Sequence, residues 1–413
     1  MSFLCLENAD NPLLLMNAPQ NPSALKWWDD FLRVSRYVKY KSPTVLINLT
    51  KIYIFWENKG ATGRMRYFDY SKLKERKWTK EIINYLGLIH EYKGRQQLYL
   101  AQKPEELTAL VNLAKRQSTE ASNDIEGIRT TNARFVQLMN DKTTPKNRSE
   151  KEILGYRYAL SLVHESFEYI PIRINYILQI HKEMYQFMDV SYGGRFKDTP
   201  NEIDEEHPDG TKTLIFKPLG PYETPIAVES LCKEYDKAIN EYNIDPLLVI
   251  PVFIHDFLCI HPFNDGNGRM SRLLTTLLLY KSGYAIGKYI SLEKKIQITK
   301  IEYYEALSSS SINWYEENND DTPFVEYLLG TILSAYRDFE DRVNIVSKKM
   351  SAKEMVIHAI NQKLGKFTKS DIMEFCPEIK SSSVEASLKE LCEEGFIEKR
   401  GGGRSTYYLK KEN

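Results

Sequence analysis

The sequence predicts a mainly α-helical protein that carries a small β-hairpin near its middle and a separate C-terminal domain of the winged-helix type. Apolar residues recur at three- and four-residue spacing through most of residues 80–346, as in amphipathic helices. One segment, 191–225, interrupts them with two glycines, a "PDG" turn signal and the β-rich "TLIF". Residues 350–413 follow the pattern of three short helices and a glycine-turned hairpin, which is typical of a winged helix-turn-helix domain.

The composition limits the classes of partner. With 56 basic and 56 acidic side chains, the 413-residue chain has a formal charge of zero, so nucleic acid or an anionic membrane would need a local patch. The five scattered cysteines favour reduced thiols in a cytoplasmic protein over a disulfide frame or a zinc site. The longest apolar segment, roughly 245–260, is too short to span a bilayer, and no targeting signal is evident, so no membrane partner is expected.

Four regions follow one another along the chain. We interpret residues 1–64 as a poorly specified N-terminal extension, because Met65 opens a segment that resembles a natural protein start. Residues 65–135 form an N-terminal helical region, 136–345 the main helical core and 346–413 the C-terminal domain. Helices are expected near 80–128, 150–168, 172–188, 224–242, 245–260, 268–283, 300–307 and 322–346, with "RTTNARF" (129–135) breaking the pattern.

The segment "HPFNDGNGRMSR", His261 to Arg272, places dense polar chemistry between two apolar runs. The helix before it is expected to end near Ile260. The two glycines and the neighbouring Asn and Asp favour tight turns with positive φ, and a new helix begins near Gly268. A glycine-rich turn that leads into a helix N-terminus directs several backbone N–H groups at one point, where the helix dipole adds positive potential. The segment therefore predicts an anion site suited to phosphate.

Side chains in the same segment supply the chemistry of phosphate-group transfer. Arg269 and Arg272 lie one helical turn apart, so both can bond to the same polyphosphate. Asp265 is a hard oxygen ligand suited to Mg²⁺. His261 is the nearby group that can take up a proton close to neutral pH. Together these residues predict transfer of a phosphate-containing group.

Every specified position of HxFx(D/E)GNGRxxR is matched in this segment, and on that basis the chain resembles the Fic (Fic/Doc) family over roughly residues 65–345. The resemblance implies a Fic-type helical core and a protein adenylyltransferase that uses ATP and Mg²⁺. In that activity His261 would deprotonate a Ser, Thr or Tyr hydroxyl of a target protein. The hydroxyl would then attack the α-phosphorus of ATP, and Asp265 would hold the Mg²⁺ between the α- and β-phosphates.

The resemblance also implies which residues contact the nucleotide and the target. Phe263 would be the buried anchor of the loop, and glycine at position 268, where the phosphorylating Doc branch has lysine, favours nucleotide transfer. The anion hole would consist of Gly266, Asn267 and Gly268. Arg269 and Arg272 would hold the β- and γ-phosphates, and Tyr304 would contact the adenine. The predicted β-hairpin upstream of the motif would be the flap of this family. The target segment would pair with the main chain of the flap at Thr213, Leu214, Ile215 and Phe216.

A second motif, "SNDIEG" from Ser122 to Gly127, matches the (S/T)xxxE(G/N) inhibitory motif of many Fic proteins. Ser122 and Glu126 are one turn apart on the same face of a predicted helix. A carboxylate there could pair with Arg272 and occupy the guanidinium that the γ-phosphate requires. ATP would then bind with its α-phosphate misaligned for attack. The sequence therefore predicts an inhibitory helix built into the N-terminal region.

Several functions stay open beside adenylylation. The same site could remove AMP, with Glu126 orienting a water, or could use another nucleotide. An alternative from a different class is a transcriptional regulator whose core senses nucleotide while the winged helix binds DNA. Residues 351–413 carry 11 basic and 10 acidic side chains, so this domain could equally serve protein interaction or dimerisation. The partners expected are a target protein of unknown identity, the chain itself through self-modification, DNA, and a second copy in a homo-oligomer.

Two further polar features are interpreted as structural. His255 lies in the middle of an apolar helix and is expected to be hydrogen-bonded in the core, without binding a metal. The acidic run "EIDEEHPDG", 202–210, is expected to be a charged loop.

Overall fold

The computed structural model describes residues 66–102, 104–206, 212–347, 351–361, 365–376 and 379–411, and most of these lie in helices. The proposed N-terminal extension, 1–64, lies outside the described residues. The main body, 66–347, contains the helices α1 (Lys80–Gln102), α2 (Pro104–Ile125), α3 (Asn132–Met139), α4 (Arg148–Ser166), α5 (Ile174–Met184), α6 (Thr224–Asn240), α7 (Pro246–Ile260), α8 (Asn267–Lys281), α9 (Leu292–Ile298), α10 (Lys300–Ser311) and α11 (Thr322–Ser347). Its strands are β1 (Ile203–Glu206) and β2 (Lys212–Phe216).

Helices α7 and α8 form the centre of the main body. Nearly every residue of α7, "PLLVIPVFIHDFLCI", is buried, as expected for a helix that is apolar on all sides. Asp245 caps its N-terminus by accepting from the Leu247 N–H at 2.9 Å, and Pro246 occupies the first turn, where no N–H is needed. The end of α7 and the start of α8 frame the polar segment that begins at His261. Both helix ends are thus held in fixed positions by core packing.

Most of the predicted helices are confirmed, with three corrections. The stretch expected as one helix over 80–128 consists of α1 and α2, and α2 ends at Ile125. The expected break at 129–135 is wrong in part, because α3 starts within it. Thr131 accepts from the Arg134 N–H at 3.4 Å as an N-cap, while Phe135 and Leu138 are buried. Helix α9 was not predicted, and its N-cap is Ser291, whose hydroxyl accepts from the Lys294 N–H at 2.9 Å.

The flap is a two-stranded antiparallel hairpin in which Ile203 pairs with Phe216 and Glu206 with Lys212. Its second strand agrees with the predicted "TLIF". The interpretation of the acidic run as a loop is wrong for residues 203–206, which form β1. Strand pairing uses backbone groups, so an exposed strand can carry acidic side chains without burying them.

The C-terminal domain has its own hydrophobic core, which includes Val356, Ile372, Leu388 and Ile397. The predicted order of three helices and a hairpin is present, and a short strand is added before the second helix. The elements are α12 (Ala352–Asn361), β3 (Lys366–Phe367), α13 (Lys369–Phe375), α14 (Ser381–Glu393), β4 (Ile397–Arg400) and β5 (Tyr407–Lys410), with the sheet order β3-β5-β4. The winged-helix interpretation stays a prediction.

The structure also bears on two expectations from the sequence, on membrane-spanning helices and on the cysteines. Across the described ranges, no helix has both the length and the apolar character that crossing a bilayer would require. Among the described residues, Cys232, Cys259 and Cys376 are buried reduced thiols, and Cys392 is partly buried. Cys5 lies outside the described residues.

Candidate active site

His261 lies immediately after the C-terminus of α7, in the left-handed conformation with φ 50°. Its backbone N–H donates to the Phe257 carbonyl at 3.0 Å, which fixes the residue to the helix end. Its Nδ1 lies 3.3 Å from the Leu258 carbonyl. Because a carbonyl can only accept, Nδ1 carries the proton in this contact, and Nε2 is left as the proton acceptor. Burial, reinforced by the charge of Lys197, lowers the pKa of His261 to about 4.

The loop after His261 is held from inside by Phe263 and Asn267. The side chain of Asn267 accepts from the Phe263 N–H at 2.9 Å and donates to the Phe263 carbonyl at 2.7 Å. This closes the loop like a backbone turn and uses both polar atoms of the amide. The predicted part of Asn267 in an anion hole therefore falls to its backbone N–H. Phe263 itself is fully buried, as predicted.

His181 on α5 supports the same loop from below. Its ring stacks on Phe263 with centroids 3.8 Å apart. Its Nδ1 accepts from the Gly194 N–H at 3.0 Å, and its Nε2 lies 3.0 Å from the Asp265 carbonyl, to which it donates. Burial lowers the pKa of His181 to about 4, and the neutral ring is the form that can accept at one nitrogen and donate at the other.

Gly266 is the N-cap of α8 and has φ 81°. A Cβ at this position would lie 2.6 Å from Met184 Cε and 2.8 Å from Tyr185 Oη, so only glycine fits. The first backbone bond of α8 joins the Met270 N–H to the Gly266 carbonyl at 2.9 Å. The N–H groups of the three residues before Met270 therefore have no acceptor within the helix. They border a cavity of about 420 Å³ that is also lined by His261, Asp265 and Glu126.

Arg269 forms the buried floor of this cavity, with 1% of its surface exposed. Its Nη2 donates to Tyr185 Oη at 2.8 Å and lies 2.8 Å from a carboxylate oxygen of Glu152. Its Nε and Nη1 are buried without a hydrogen-bond partner among the described residues. Buried guanidinium N–H groups are costly when unsatisfied, so these two nitrogens leave a polar requirement next to the cavity.

Asp265 lies at the cavity wall with its side chain 38% exposed. Arg148 donates to one of its carboxylate oxygens at 3.2 Å, and Arg269 lies 3.6 Å from the other. The same Arg148 donates to Glu152 at 2.8 Å. Two carboxylates and two guanidinium groups therefore alternate along the wall, and Asp265 is the carboxylate that faces open space.

Arg272 lies one turn further along α8 and contacts the end of α2. Its Nε donates to Ser122 Oγ at 2.8 Å, and its Nη2 donates to the Ser122 carbonyl at 2.9 Å and to a Glu126 carboxylate oxygen at 2.7 Å. Glu126 lies in the turn after α2 and not on the helix face that the sequence predicted. The chain still brings the carboxylate to Arg272, because the Glu126 N–H closes that turn onto the Asn123 carbonyl at 3.1 Å.

Residues 171–279, which include this loop and both helices that frame it, match the family model described as Fic/DOC family. The chain carries a Fic/DOC domain. The predicted resemblance is thereby confirmed. The matched segment runs from just before α5 to the last turn of α8, so the flap, His261 and Arg272 all lie within it.

Curated relatives of the Fic domain include enzymes named as adenylyltransferases. The chain is 27% identical over 186 residues to Protein adenylyltransferase fic-1 of Caenorhabditis elegans, and the match covers 44% of this chain and 32% of that protein. It is 28% identical over 167 residues to Protein adenylyltransferase Fic of Drosophila erecta, covering 39% and 31%. The chain thus spans about a third of the length of these relatives.

The fold of the Fic domain and its surroundings is also found among solved structures. A Fic family protein from Desulfovibrio desulfuricans superposes with a TM-score of 0.54 at 22% identity, over 82% of this chain and 98% of that one. This similarity supports the mainly helical Fic fold of the main body.

Helix α2 is held against α9 and α10 by polar contacts at two points along its length. Ser118 Oγ donates to the Glu293 carboxylate at 2.6 Å and contacts Ser291 Oγ at 2.9 Å. At the C-terminal end of α2, Lys300 Nζ donates to the Ile125 carbonyl at 2.7 Å, where a positive charge also favours the helix dipole. These contacts place Ser122 and Glu126 within reach of Arg272.

The remaining predicted site residues, on β2 and at Tyr304, are not among the residues that line this cavity. On β2, Leu214 and Ile215 are 52% and 45% exposed, and Thr213 is also exposed, whereas the Phe216 ring stacks on Tyr315 with centroids 5.9 Å apart. Tyr304 on α10 is 43% exposed, and its pKa is raised by burial and then by the charge of Glu126. Its contact with adenine stays a prediction, as does the pairing of a target with the flap.

His255 lies in the core with polar partners, as predicted. It is fully buried, its Nε2 lies 3.1 Å from Ser311 Oγ and its Nδ1 lies 3.2 Å from a carboxylate oxygen of Asp321. Within the described ranges, no group of three or more His, Cys, Asp or Glu side chains is arranged to hold a metal ion.

Sequence reasoning missed several residues that shape the site. They lie outside the motif, on α4, on α5 and in the segment before the flap: Arg148, Glu152, His181, Tyr185, Lys197 and Asn201. In the sequence, a charged residue at a core-facing position of a helix, such as Glu152, indicates that a buried partner exists. It does not indicate which residue that partner is.

Proposed function

We propose that this protein is a protein adenylyltransferase that transfers AMP from ATP to a Ser, Thr or Tyr hydroxyl of a target protein or of itself, and that Glu126 keeps the activity low. The observation that carries the proposal is a neutral histidine at the mouth of a cavity into which the N-terminus of α8 points. The names of the curated relatives support the same reaction.

The first step is attack by the target hydroxyl oxygen on the α-phosphorus of ATP. The hydroxyl proton passes to His261 Nε2, which is free because Nδ1 bonds to the Leu258 carbonyl. The bond between the α-phosphorus and the oxygen bridging to the β-phosphate breaks as the new phosphoester bond forms. The products are an AMP-modified side chain and pyrophosphate.

The α8 N-terminus and two arginines stabilise the phosphates. The N–H groups at the start of α8 would stabilise the negative charge that develops during transfer, and the loop bonds of Asn267 preorganise them. Arg269 supplies buried N–H groups from the floor. Arg272 supplies a guanidinium to the γ-phosphate once Glu126 has left it.

The residues present also fit Mg²⁺ delivered with ATP. Magnesium is commonly held by one or two carboxylates together with substrate phosphates, so a three-residue protein cluster is not required. Asp265 has an exposed carboxylate at the cavity wall and would be its ligand. When bound, the ion would neutralise phosphate charge.

The pair between Glu126 and Arg272 would keep the activity low. With Arg272 engaged, the γ-phosphate lacks its guanidinium, so ATP is held by fewer contacts and its α-phosphate is not aligned for attack. At the flap, the exposed β2 strand would position the target main chain beside His261 by strand addition.

The decisive experiment compares wild type, Glu126→Gly and His261→Ala with labelled ATP and Mg²⁺. We expect labelled protein, including self-modified chain, to rise strongly in Glu126→Gly and to vanish when His261→Ala is added. No transfer by Glu126→Gly from any nucleotide would refute the proposal. If wild type instead releases AMP from a previously modified protein and Glu126→Gly does not, the reaction runs in the removal direction with Glu126 orienting a water.

A nucleotide-sensing DNA-binding regulator is the alternative, and the order of helices and strands in the C-terminal domain favours it. Its charges do not favour it, because Glu385 pairs with Lys369, Lys353 pairs with Glu390, and Arg400 pairs with Glu398. A salt-dependent gel shift of the full chain with mixed duplex DNA tests this function. Retardation that weakens with salt and is lost in Lys399→Ala would support it, and absence of a shift would exclude it.

A further inference from the structure

The segment just before the flap holds the catalytic loop by its backbone carbonyls. The Lys197 N–H donates to the Pro262 carbonyl at 2.9 Å, and Lys197 Nζ donates to the Ile260 carbonyl at 3.0 Å. Asn201 Nδ2 donates to the carbonyls of His261 at 3.3 Å and Phe263 at 3.1 Å. The carbonyls of four consecutive residues around the proposed base are thus bonded to two residues of one short segment.

Lys197 and Asn201 are also bonded to each other, since Lys197 Nζ donates to Asn201 Oδ1 at 2.8 Å. Lys197 is 3% exposed, which is rare for a lysine unless its ammonium group is satisfied. Its acceptors are an amide oxygen and a carbonyl at the C-terminal end of α7, where the helix dipole favours a positive charge. The carboxylate that acts on it electrostatically is that of Glu223.

We propose that Lys197 and Asn201 form a positioning unit for His261, in which the bonds to the loop carbonyls orient the imidazole and the charge of Lys197 adds to burial in opposing its protonation. Neither residue touches the reacting atoms in this account. The proposal rests on the proposed function for its catalytic meaning, but the effect of Lys197 on His261 can be measured without any activity.

The charges around His261 set the direction of the effect. Lys197 opposes protonation of the imidazole, whereas Glu126 and Asp265 favour it. Burial lowers the pKa of Lys197 to about 7, so its ammonium group is charged throughout the acidic range in which His261 takes up its proton. Removing that charge therefore makes His261 easier to protonate, while removing Asn201 leaves the charge in place.

The test measures His261 titration in full-length protein by NMR with labelled histidine, assigned by His261→Ala among the seven histidines. Lys197→Met removes the charge and the side-chain bond to the Ile260 carbonyl but keeps the volume. Asn201→Ala removes the bonds to the His261 and Phe263 carbonyls and keeps the charge. Lys233→Met on the exposed face of α6 is the matched control. We expect the midpoint of His261 to rise by about one pH unit in Lys197→Met and to stay near wild type in the other two variants. An unchanged midpoint in folded Lys197→Met overturns the proposal.

A second measurement separates positioning from stability. In the Glu126→Gly background, Lys197→Met should move the acidic limb of the pH–rate profile to higher pH. Asn201→Ala should instead lower the rate by about tenfold or more at every pH. Equal loss at all pH values in both variants, with no shift of the limb, would reduce Lys197 to a structural role and overturn the proposal. If Glu126→Gly itself transfers nothing, the proposed function fails, and the NMR result still decides whether Lys197 controls His261.

Discussion

Arg272 Nη2 donates to a carboxylate oxygen of Glu126 at 2.7 Å, and this bond joins α8 of the Fic domain to the turn after α2. The two side chains differ in exposure, since Arg272 is 3% exposed and Glu126 is 31% exposed. The guanidinium is therefore locked in the interior by Ser122, while the carboxylate borders the cavity and can be displaced. In the proposed function, the γ-phosphate of ATP would compete with Glu126 for the same N–H group.

Replacing Glu126 should activate the protein. A charge-assisted hydrogen bond contributes about 1.5–3 kcal/mol, so Glu126→Gly should raise the initial rate of AMP incorporation by about ten- to a hundredfold. Glu126→Gln keeps the shape and weakens the bond, and it should give an intermediate rate. Glu229→Gln on the exposed face of α6 is the matched control and should match wild type. Equal rates for all variants would show that the pair does not restrain catalysis.

The pH profile should follow His261. Burial holds its pKa near 4, so the imidazole is already unprotonated at neutral pH and loses base function only as the pH falls through about 4. The rate of Glu126→Gly should therefore be flat from about pH 8 down to about pH 5 and then fall. His261→Ala should abolish transfer, and His90→Ala on the surface of α1 should not. A limb centred near the ordinary histidine value of about 6.5 would contradict the assigned environment.

Arg148 should oppose metal binding. Its guanidinium donates to a carboxylate oxygen of Asp265, the proposed Mg²⁺ ligand, and two cations near one carboxylate repel each other. Arg148→Met should lower the Mg²⁺ concentration for half-maximal ATP binding by about threefold or more, measured by calorimetry at fixed ATP. Arg157→Met, which removes a guanidinium paired with Asp141 elsewhere on α4, is the control. A higher Mg²⁺ requirement in Arg148→Met would mean that Arg148 binds the phosphates directly.

Acid should destabilise the fold through its buried neutral histidines. The folded-state pKa values of His181 and His261 lie near 4, below the unfolded value of about 6.5. The unfolded chain therefore binds protons first, and stability is lost as the pH falls from about 6.5 towards 4. His181→Gln should lower the free energy of unfolding by about 1–3 kcal/mol at neutral pH and by less at about pH 5. Urea denaturation at the two pH values measures the free energy of unfolding of wild type and His181→Gln. If the loss caused by His181→Gln is not smaller at the lower pH, the prediction is contradicted.

Glycine at position 266 should be required for the loop. A methyl group would meet Met184 and Tyr185 at under 3 Å in addition to the strain of positive φ. Gly266→Ala should therefore destabilise the protein by about 2–4 kcal/mol, measured by thermal or urea denaturation. Gly127→Ala is a matched control, because Gly127 also has positive φ (76°) but has nothing within 4 Å of a built Cβ. Equal losses of stability in the two variants would show that the contacts with Met184 and Tyr185 play no part.

Much of the fold was predictable because its signals are local. The apolar run of α7 and the leucine-rich α8 follow from residue type and spacing, and so do the glycine turn between them and the order of elements in the C-terminal domain. Some of the wrong predictions concern local structure. Helix α3 depends on the cap at Thr131, and β1 forms from an acidic sequence because its backbone pairs with β2.

The sequence by itself determined the residues at the candidate site and their order along α7, the loop and α8, since their spacing places a base, a carboxylate and helix N–H groups together. Only the tertiary structure decided which residues surround them. Docking of α2 against α9 and α10 brings Glu126 to Arg272, and burial of Lys197 beneath the Ile260 carbonyl brings a charge to His261. Such contacts join positions far apart in the chain, and they depend on helix packing and burial, which no local spacing records.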